Sequence, residues 1–236
     1  MRSIGILGGM SWVSTAHYYA MLNRMAAERM GGLHSAQILL HSVDFAPIAQ
    51  MQKDDDWHEA GLILADAARG LERAGAGLLL IAANTMHLVA DQVAEAVDLP
   101  LIHIADATAD AISATGLRRP GLITTAYTME RRFYRERLEA AGLEPVLPDA
   151  RTRTEIHRII FDELVRDDVR DDSRRVYEDI AAAIVADGAD CIILGCTEVG
   201  LLLNAGNVSV PVFDTVEIHC RAALEAACFE TGEIYV

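Results

Sequence analysis

The chain has 236 residues, 52% of them hydrophobic and 23% charged, which is typical of a globular protein with enough apolar side chains for a sizeable core. Its formal net charge of −15 argues against nucleic acid or an anionic membrane as a partner, because both require clustered Lys and Arg. The sequence shows no apolar stretch of the roughly 18 residues that span a membrane and no signal-peptide pattern at its start. We therefore expect a cytoplasmic protein with neither nucleic-acid nor membrane partners.

Strand-like and helical patterns alternate along the first half of the chain. The predicted strands cover residues 4–7, 37–43, 78–81 and 101–104. The predicted helices cover residues 14–29, 56–74 and 86–96, and Gly75 is a C-cap for the second of them. This alternation predicts an α/β fold with mainly parallel sheets.

The second half repeats the layout of the first. A predicted strand and turn cover residues 120–125, and further predicted strands cover 191–194 and 211–214. The predicted helices cover 129–141, 155–164 and 173–186. Residues 100–106 and 211–214 share a proline, a short apolar strand and an aspartate. A repeat of about 110 residues predicts two similar α/β domains rather than one long sheet.

The four cysteines differ in their surroundings. Cys191, Cys220 and Cys228 lie in apolar strand or helix patterns, where a cysteine most often packs as a small hydrophobe. No CxxC pair is present, so the pattern indicates neither a redox motif nor a disulfide framework. Cys196 stands apart because it directly follows a buried strand, where a loop begins.

Two turns of the sequence have matching layouts. In one, the apolar run 191–194 leads to Gly195 and Cys196; in the other, the apolar run 78–81 leads to Ala82 and Ala83. An active site made from two such halves would carry a reactive group in each. Here one half has a cysteine and the other an alanine.

Ligands of open α/β sheets bind beyond the carboxyl ends of the strands. Small or polar residues occupy these positions at 8–9, 83–85, 124–125 and 196–198. Small residues let a ligand approach the backbone, and Asn, Thr and helix N-termini supply donors for an anion. The pattern predicts a carboxylate-sized pocket between the two domains. Helix capping by Asn84, Thr85 and Thr197 is the alternative explanation.

Cys196 is a candidate acid/base or nucleophile. A free thiol has a pKa near roughly 8.5, and a helix N-terminus lowers it. The resulting thiolate could remove a proton from a carbon acid whose carboxylate is held by Thr and Asn donors, which stabilise the developing enediolate. Glu198 could pair with a substrate ammonium, orient a neighbour, or serve only as a helix N-terminal carboxylate.

These residues belong to segments that resemble the aspartate/glutamate racemase superfamily. The resemblance is closest to bacterial amino-acid racemases that begin with a Gly-Gly-Met-Ser-Trp segment. The matching segments span almost the whole chain in order: 4–12, 31–36, 41–45, 84–87, 127–129, 133–134 and 195–198.

The resemblance implies two pseudo-symmetric α/β domains with the active site in the interdomain cleft. It places residues 1–104 and 215–236 in the first domain, onto which the C-terminal helix returns, and residues 105–214 in the second. It further implies an isomerase that racemises an amino acid without a cofactor or metal, and a homodimer. Two thiols on opposite faces of Cα act in the superfamily as acid and base.

Carried over residue by residue, the resemblance makes Cys196 the catalytic thiol of the second half and residue 83 the position of its partner. Asn84 and Thr85 take the place of the carboxylate-binding residues of the first half. The other positions that match substrate-binding residues are Met10, Gln52, Thr125 and Thr197, with Glu198 next to the last of these.

The sequence departs from the superfamily at Ala83, where most members have cysteine and some threonine. Alanine cannot transfer a proton, which leaves three explanations. The alanine is an engineered substitution that traps a ligand; water or a neighbour such as Thr85 or His87 serves that face; or the protein performs one-sided chemistry. Relatives with a single thiol include a decarboxylase of malonate-type acids.

The substrate is less well defined than the reaction. Dicarboxylic-acid racemases of the superfamily hold the distal carboxylate with basic residues, and the loop after Phe45 has no arginine. Arg166 is displaced by one residue from another expected basic position, and Lys53 is the nearest alternative. We therefore expect an amino-acid racemase of the aspartate/glutamate type. The alternatives are a single-thiol decarboxylase or lyase, and a non-catalytic amino-acid binding protein.

Overall fold

The structure of the protein is a computed structural model that describes residues 1–196 and 198–228. The chain divides into two compact units. The first contains Met1–His103 together with the described residues from His219 onward, and the second contains Ile104–Ile218. Each unit has its own parallel three-stranded sheet with helices between the strands, which confirms the predicted α/β class.

The first unit is built on three strands in the order β2-β1-β3. Its strands are β1 (Ile4–Gly8), β2 (Ile38–Ser42) and β3 (Leu78–Ile81). Its helices are α1 (Trp12–Met30), α2 (Phe45–Lys53), α3 (Trp57–Arg73) and α4 (Ala90–Ala94), with a 3₁₀ helix at Thr85–Val89. Ile4 pairs with Ile38 on one side and Leu78 on the other.

The second unit has the strand order β4-β5-β6. Its strands are β4 (Pro120–Ile123), β5 (Cys191–Leu194) and β6 (Val212–Asp214). Its helices are α5 (Ile104–Ser113), α6 (Ala126–Glu130), α7 (Arg132–Ala140), α8 (Ala150–Asp162) and α9 (Asp171–Ala186), with 3₁₀ helices at Leu164–Arg166 and Val199–Leu201. The helix α10 (Thr215–Cys228) follows β6.

A single parallel bridge adds a fourth position to each sheet. Leu101 pairs with Leu79 of β3, and Val146 pairs with Gly121 of β4. The first unit then runs in the order β2, β1, β3, Leu101, and the second in the order Val146, β4, β5, β6. Both follow the same sequence of second, first, third and fourth segment, so the internal repeat is visible in the topology.

The sheets carry the cores of the two units. Every residue of β1, β3, β4 and β5 is buried, as expected for parallel strands covered by helices on both faces. α3 shows how the sequence produces the covering layer. Asp56 caps its N-terminus, Ala60, Leu64 and Ala68 recur on its buried face, and the chain leaves it at Gly75 with φ of 94°. In the described residues no helix is both long and apolar enough to cross a membrane.

The turn after β1 is packed against the protein itself. A Cβ on Gly8 would lie 2.5 Å from Thr15 Cγ2, and a Cβ on Gly9 would lie 2.2 Å from the carbonyl oxygen of Val43. Gly9 also has φ of 94°, and its N–H donates to Thr15 Oγ1 at 2.8 Å. Internal packing and backbone conformation therefore explain these two glycines, which the sequence analysis attributed to close approach by a ligand.

Several predicted elements differ from the structure. The predicted helix at 129–141 is divided at Arg131 into α6 and α7. The predicted helix at 86–96 is a 3₁₀ helix at Thr85–Val89 followed by the short α4. The predicted strand at 101–104 is the single bridge at Leu101, and Ile104 already begins α5. Short apolar runs fit either a strand or a buried helix end, so their pattern alone does not separate the two.

Candidate functional site

Ala83 and Cys196 occupy equivalent positions in the two units. Each is the second residue after a strand, β3 for Ala83 and β5 for Cys196, and each of these strands holds the third position in its sheet. Both residues are partly exposed at the carboxyl end of a parallel strand, where α/β proteins bind their ligands. The matching turns in the sequence are therefore matching turns in the fold.

The Cys196 thiol is bonded to a carboxylate. Its Sγ donates to Glu198 Oε2 at 3.0 Å, and Glu198 is only 4% exposed. Glu198 makes no side-chain capping bond to the 3₁₀ helix that follows it. Its carboxylate thus faces the thiol instead of serving as a helix cap, and the proton between the two groups can be held by either of them.

Two threonines hold the backbone that leads into Cys196. Thr215 Oγ1 donates to the carbonyl oxygen of Leu194 at 2.9 Å, and Thr124 Oγ1 donates to that of Gly195 at 2.5 Å. Both threonines are fully buried. A Cβ on Gly195 would lie 2.8 Å from Thr124 Cβ, so glycine is required at this close approach. These contacts fix the strand end that carries the thiol.

Neighbouring weak acids of the second unit are unsuited to proton transfer. Burial, with a smaller contribution from Asp190, raises the pKa of the Cys191 thiol to about 12. Burial also raises the pKa of Tyr177 well above its usual value, and electrostatic interactions with Cys196 and Glu163 add to the effect. Both groups therefore keep their protons at neutral pH, which supports the packing role predicted for Cys191.

The turn after β3 presents polar side chains around Ala83. Asn84 and Thr85 are both buried. Asn84 begins the 3₁₀ helix without a side-chain capping bond, so the capping explanation does not apply to it. The ring of His87 bonds to the carbonyl oxygen of Ala83 through Nδ1 at 2.9 Å.

Gln52 and Met10 are both buried in the first unit, and Gln52 contacts the 3₁₀ helix beside the Ala83 turn. Gln52 is 4% exposed, and its Nε2 donates to Met86 Sδ at 3.1 Å. Its Oε1 is buried and has no hydrogen-bond partner among the described residues. A buried amide oxygen normally accepts a hydrogen bond, so this atom is suited to a donor brought by a ligand.

Thr125 is used within the protein. Its Oγ1 caps α6 by accepting from the backbone N–H of Thr128 at 3.3 Å. The same oxygen lies 3.1 Å from Thr128 Oγ1. Helix capping thus accounts for Thr125, and its substrate contact stays a prediction. Thr197, the predicted partner of Asn84 and Thr85, lies outside the described residues.

His87 packs against two other buried histidines. The ring of His87 lies 4.6 Å from that of His103 and 5.5 Å from that of His219, measured between centroids. Both ring nitrogens of His219 make hydrogen bonds within the protein. Nε2 lies 2.7 Å from the carbonyl oxygen of Ile102, and Nδ1 lies 2.9 Å from Tyr18 Oη. Within residues 1–196 and 198–228, no three His, Cys, Asp or Glu side chains are placed to hold a metal ion.

Comparison with known proteins identifies the family. The profile of the Asp/Glu/hydantoin racemase family matches residues 7–223, which is almost the whole chain. The chain belongs to the Asp/Glu/hydantoin racemase family. This membership places it among the isomerases and agrees with the family that the sequence motifs indicate.

Individual relatives of this racemase family cover nearly the full chain. A candidate Asp/Glu racemase from Yersinia pestis is 47% identical, with a TM-score of 0.89 over 96% of this chain and 99% of its own. An aspartate racemase homologue from Pyrococcus horikoshii is 38% identical, with a TM-score of 0.83 over 96% of this chain and 99% of its own. The broad specificity amino-acid racemase RacX of Bacillus subtilis is 22% identical over 90% of this chain and 92% of that protein.

Sequence reasoning missed the residues that support the two racemase-type turns. Thr124 and Thr215 were not assigned their backbone contacts, and the histidine cluster was not anticipated. His87 belongs to a matching family segment, which was the available signal. His219 carried no local signal, because it bonds to Ile102, which lies 117 positions away along the chain.

Proposed function

We propose that this chain is a cofactor-independent amino-acid racemase of the aspartate/glutamate type in which Cys196 is the acid/base at Cα. The observation that carries the proposal is the hydrogen bond between the Cys196 thiol and the buried carboxylate of Glu198. It stands at the carboxyl end of β5, in a member of the Asp/Glu/hydantoin racemase family.

The proposed chemistry begins with the proton shared by Cys196 and Glu198. When Glu198 accepts this proton, the thiolate of Cys196 can remove the proton from Cα. The electron pair of the C–H bond then moves into the carboxylate as an enediolate, and Cys196 becomes a neutral thiol. Return of a proton to the same face regenerates the starting enantiomer, and protonation on the opposite face gives its mirror image. Because thiolate, carboxylic acid and substrate exchange only protons, the step needs no other reagent.

The first unit supplies binding groups but no side-chain acid at residue 83. Asn84 and Thr85 are the donors that we assign to the substrate carboxylate, and Gln52 Oε1 is an acceptor suited to the substrate ammonium. Ala83 offers only a methyl group, so any proton delivered to that face comes from water or another side chain. We therefore expect proton exchange to be much faster for one enantiomer than for the other.

Acidic amino acids are the first substrates to test. The relatives from Yersinia pestis and Pyrococcus horikoshii are named for Asp/Glu and aspartate chemistry, respectively. The Bacillus subtilis relative is named a broad specificity amino-acid racemase, so neutral amino acids belong in the panel.

The test is exchange of the Cα hydrogen in heavy water, followed by mass spectrometry for each enantiomer of Asp, Glu and a neutral set. We expect deuterium uptake in one enantiomer, and its loss in C196S. Equally rapid uptake in both enantiomers would refute the single-base picture. Binding without any uptake across the panel would mean a binding protein and would refute catalysis altogether.

Ala83 favours one alternative reaction. A single thiol suffices for a decarboxylase of malonate-type acids, because carbon dioxide leaves from one face and Cys196 protonates the enediolate once. Carbon dioxide release from a methyl- or phenyl-substituted malonate, abolished in C196S, would favour this function. No release under conditions where amino-acid exchange proceeds would exclude it.

A further inference from the structure

His87 is tied twice to the turn that contains Ala83. Its ring Nδ1 lies 2.9 Å from the carbonyl oxygen of Ala83, and its backbone N–H donates to the carbonyl oxygen of Asn84 at 3.1 Å. Because a carbonyl oxygen only accepts hydrogen bonds, Nδ1 must carry a hydrogen. One residue therefore fixes the carbonyl groups of two consecutive peptide units, and planar peptides transmit that orientation to Asn84 and Thr85.

The ring of His87 is held by other buried rings. His103 and His219 contact it from two further segments, and His87 itself is only 2% exposed. Such enclosure leaves little freedom for the ring to rotate away from Ala83.

His219 is locked in one protonation state. Since the carbonyl oxygen of Ile102 can only accept, Nε2 of His219 carries the hydrogen, and Nδ1 of a neutral ring accepts from the hydroxyl of Tyr18. Complete burial lowers the pKa of His219 to about 4, which keeps the ring neutral at physiological pH. His219 is therefore a neutral ring in a fixed position, and its contact with His87 supports a single orientation of the His87 ring.

We infer that His87 is a positioning residue for substrate binding, which holds the Ala83 turn so that Asn84 and Thr85 meet the substrate carboxylate. The inference rests on the proposed function. His87 acts through the carbonyl groups of Ala83 and Asn84, so its loss weakens substrate binding and leaves the proton-transfer step itself in place.

The test compares two amides that replace different ring nitrogens. H87N keeps an N–H donor near the position of Nδ1, whereas H87Q places its amide near the position of Nε2. We expect H87Q to raise KM for Cα exchange about tenfold to a hundredfold with kcat changed less than about threefold, and H87N to stay near wild type, because displacement of binding groups acts on the bound substrate and its transition state alike. H17L, a substitution of an exposed histidine on α1, is the matched control.

The possible results distinguish a positioning role of His87 from acid–base catalysis and from a purely structural role. Equal KM values for wild type, H87N and H87Q would overturn the positioning role. A fall in kcat in both variants, with loss of an inflection in the pH profile, would overturn it in favour of acid–base catalysis by His87. An equal rise in KM in H87N and H87Q, together with equal destabilisation of the two variants in urea, would also overturn it. That result would indicate a structural role only. If wild type exchanges no amino acid at all, the proposed function itself fails, and this inference with it.

Discussion

The thiol of Cys196 donates a hydrogen bond to the carboxylate of Glu198 across 3.0 Å. The carboxylate is buried, so its charge is felt strongly by the thiol. With Glu198 ionised, a thiolate at Cys196 would place two negative charges side by side, which is unfavourable.

Glu198→Gln removes one of these charges and should make Cys196 more reactive toward alkylation. Without the neighbouring carboxylate the thiolate is less disfavoured, so the iodoacetamide rate at pH 7 should rise by roughly threefold to tenfold. Racemase-type exchange should fall in the same variant, because the amide cannot accept the thiol proton. Labelled peptide mass spectrometry reports the rate at Cys196 separately from the other three cysteines.

Glu139→Gln is the control for the loss of a charge, because Glu139 is exposed on α7. It should leave both the alkylation rate and the exchange rate unchanged. A slower alkylation of Cys196 in E198Q than in wild type would show that the charge of Glu198 does not disfavour the resting thiolate, contrary to this prediction.

His219 should make the stability of the first unit depend on pH. Its folded pKa of about 4 lies below the ordinary histidine value of 6.5, because the ring is buried. Between pH 4 and pH 6.5, His219 therefore binds a proton in the unfolded chain but not in the folded protein. This contribution is fully present above pH 6.5 and is lost as the pH falls toward 4, by about 3 kcal/mol in the free energy of unfolding.

Urea unfolding at pH 7, 5.5 and 4.5 measures this loss. In His219→Gln the amide has no proton to gain, so the part of the pH dependence assigned to His219 should disappear, although the variant is less stable at pH 7. His17→Gln, at an exposed position, should retain the wild-type slope. Identical slopes in wild type and H219Q would mean that another group controls acid sensitivity.

The distance along the chain between interacting residues explains what the sequence could and could not predict. Apolar runs were sufficient to locate β1 to β6, although the run at 101–104 proved to be a single bridge followed by a helix. The carboxyl end of a strand was sufficient to select Ala83 and Cys196. Contacts such as Tyr18 with His219, or Thr124 with Gly195, join residues 201 and 71 positions apart. No local pattern encodes them, because they depend on how the helices and strand ends pack.

The Gly8–Gly9 turn illustrates the same limit. Its glycines fit a ligand-binding pattern in the sequence, whereas the structure shows that Val43 and Thr15 occupy the space beside them. A glycine thus indicates that another group lies close to the backbone or that the backbone conformation is unusual. Only the tertiary structure shows whether that group is a ligand or another part of the protein.

Gly9→Ala should be more damaging than Gly75→Ala, although both glycines have φ of 94°. A Cβ at Gly75 meets no atom within 4 Å, whereas one at Gly9 would lie 2.2 Å from the Val43 carbonyl oxygen. We expect G75A to cost about 1–2 kcal/mol for the left-handed conformation alone, and G9A about 3 kcal/mol or more, because the backbone of β1 or of the segment at Val43 must shift. Thermal and urea unfolding measure the difference, and equal losses would contradict the steric explanation.

Ala83→Cys should supply the thiol that the first half of the proposed site lacks. A thiol at the second residue after β3 would stand at the position equivalent to Cys196 after β5. A positioned acid or base contributes typically 10²–10⁴-fold to proton transfer, so exchange of the slower enantiomer should rise at least about tenfold, together with net racemisation. Chiral chromatography and deuterium uptake measure the two effects. Ala83→Ser adds a side chain of similar size whose hydroxyl is a far weaker acid, so it should give little gain. The double variant A83C/C196S should again favour a single enantiomer, now the opposite one. A folded A83C protein with an accessible thiol and unchanged exchange would show that this turn does not serve the reaction at Cys196.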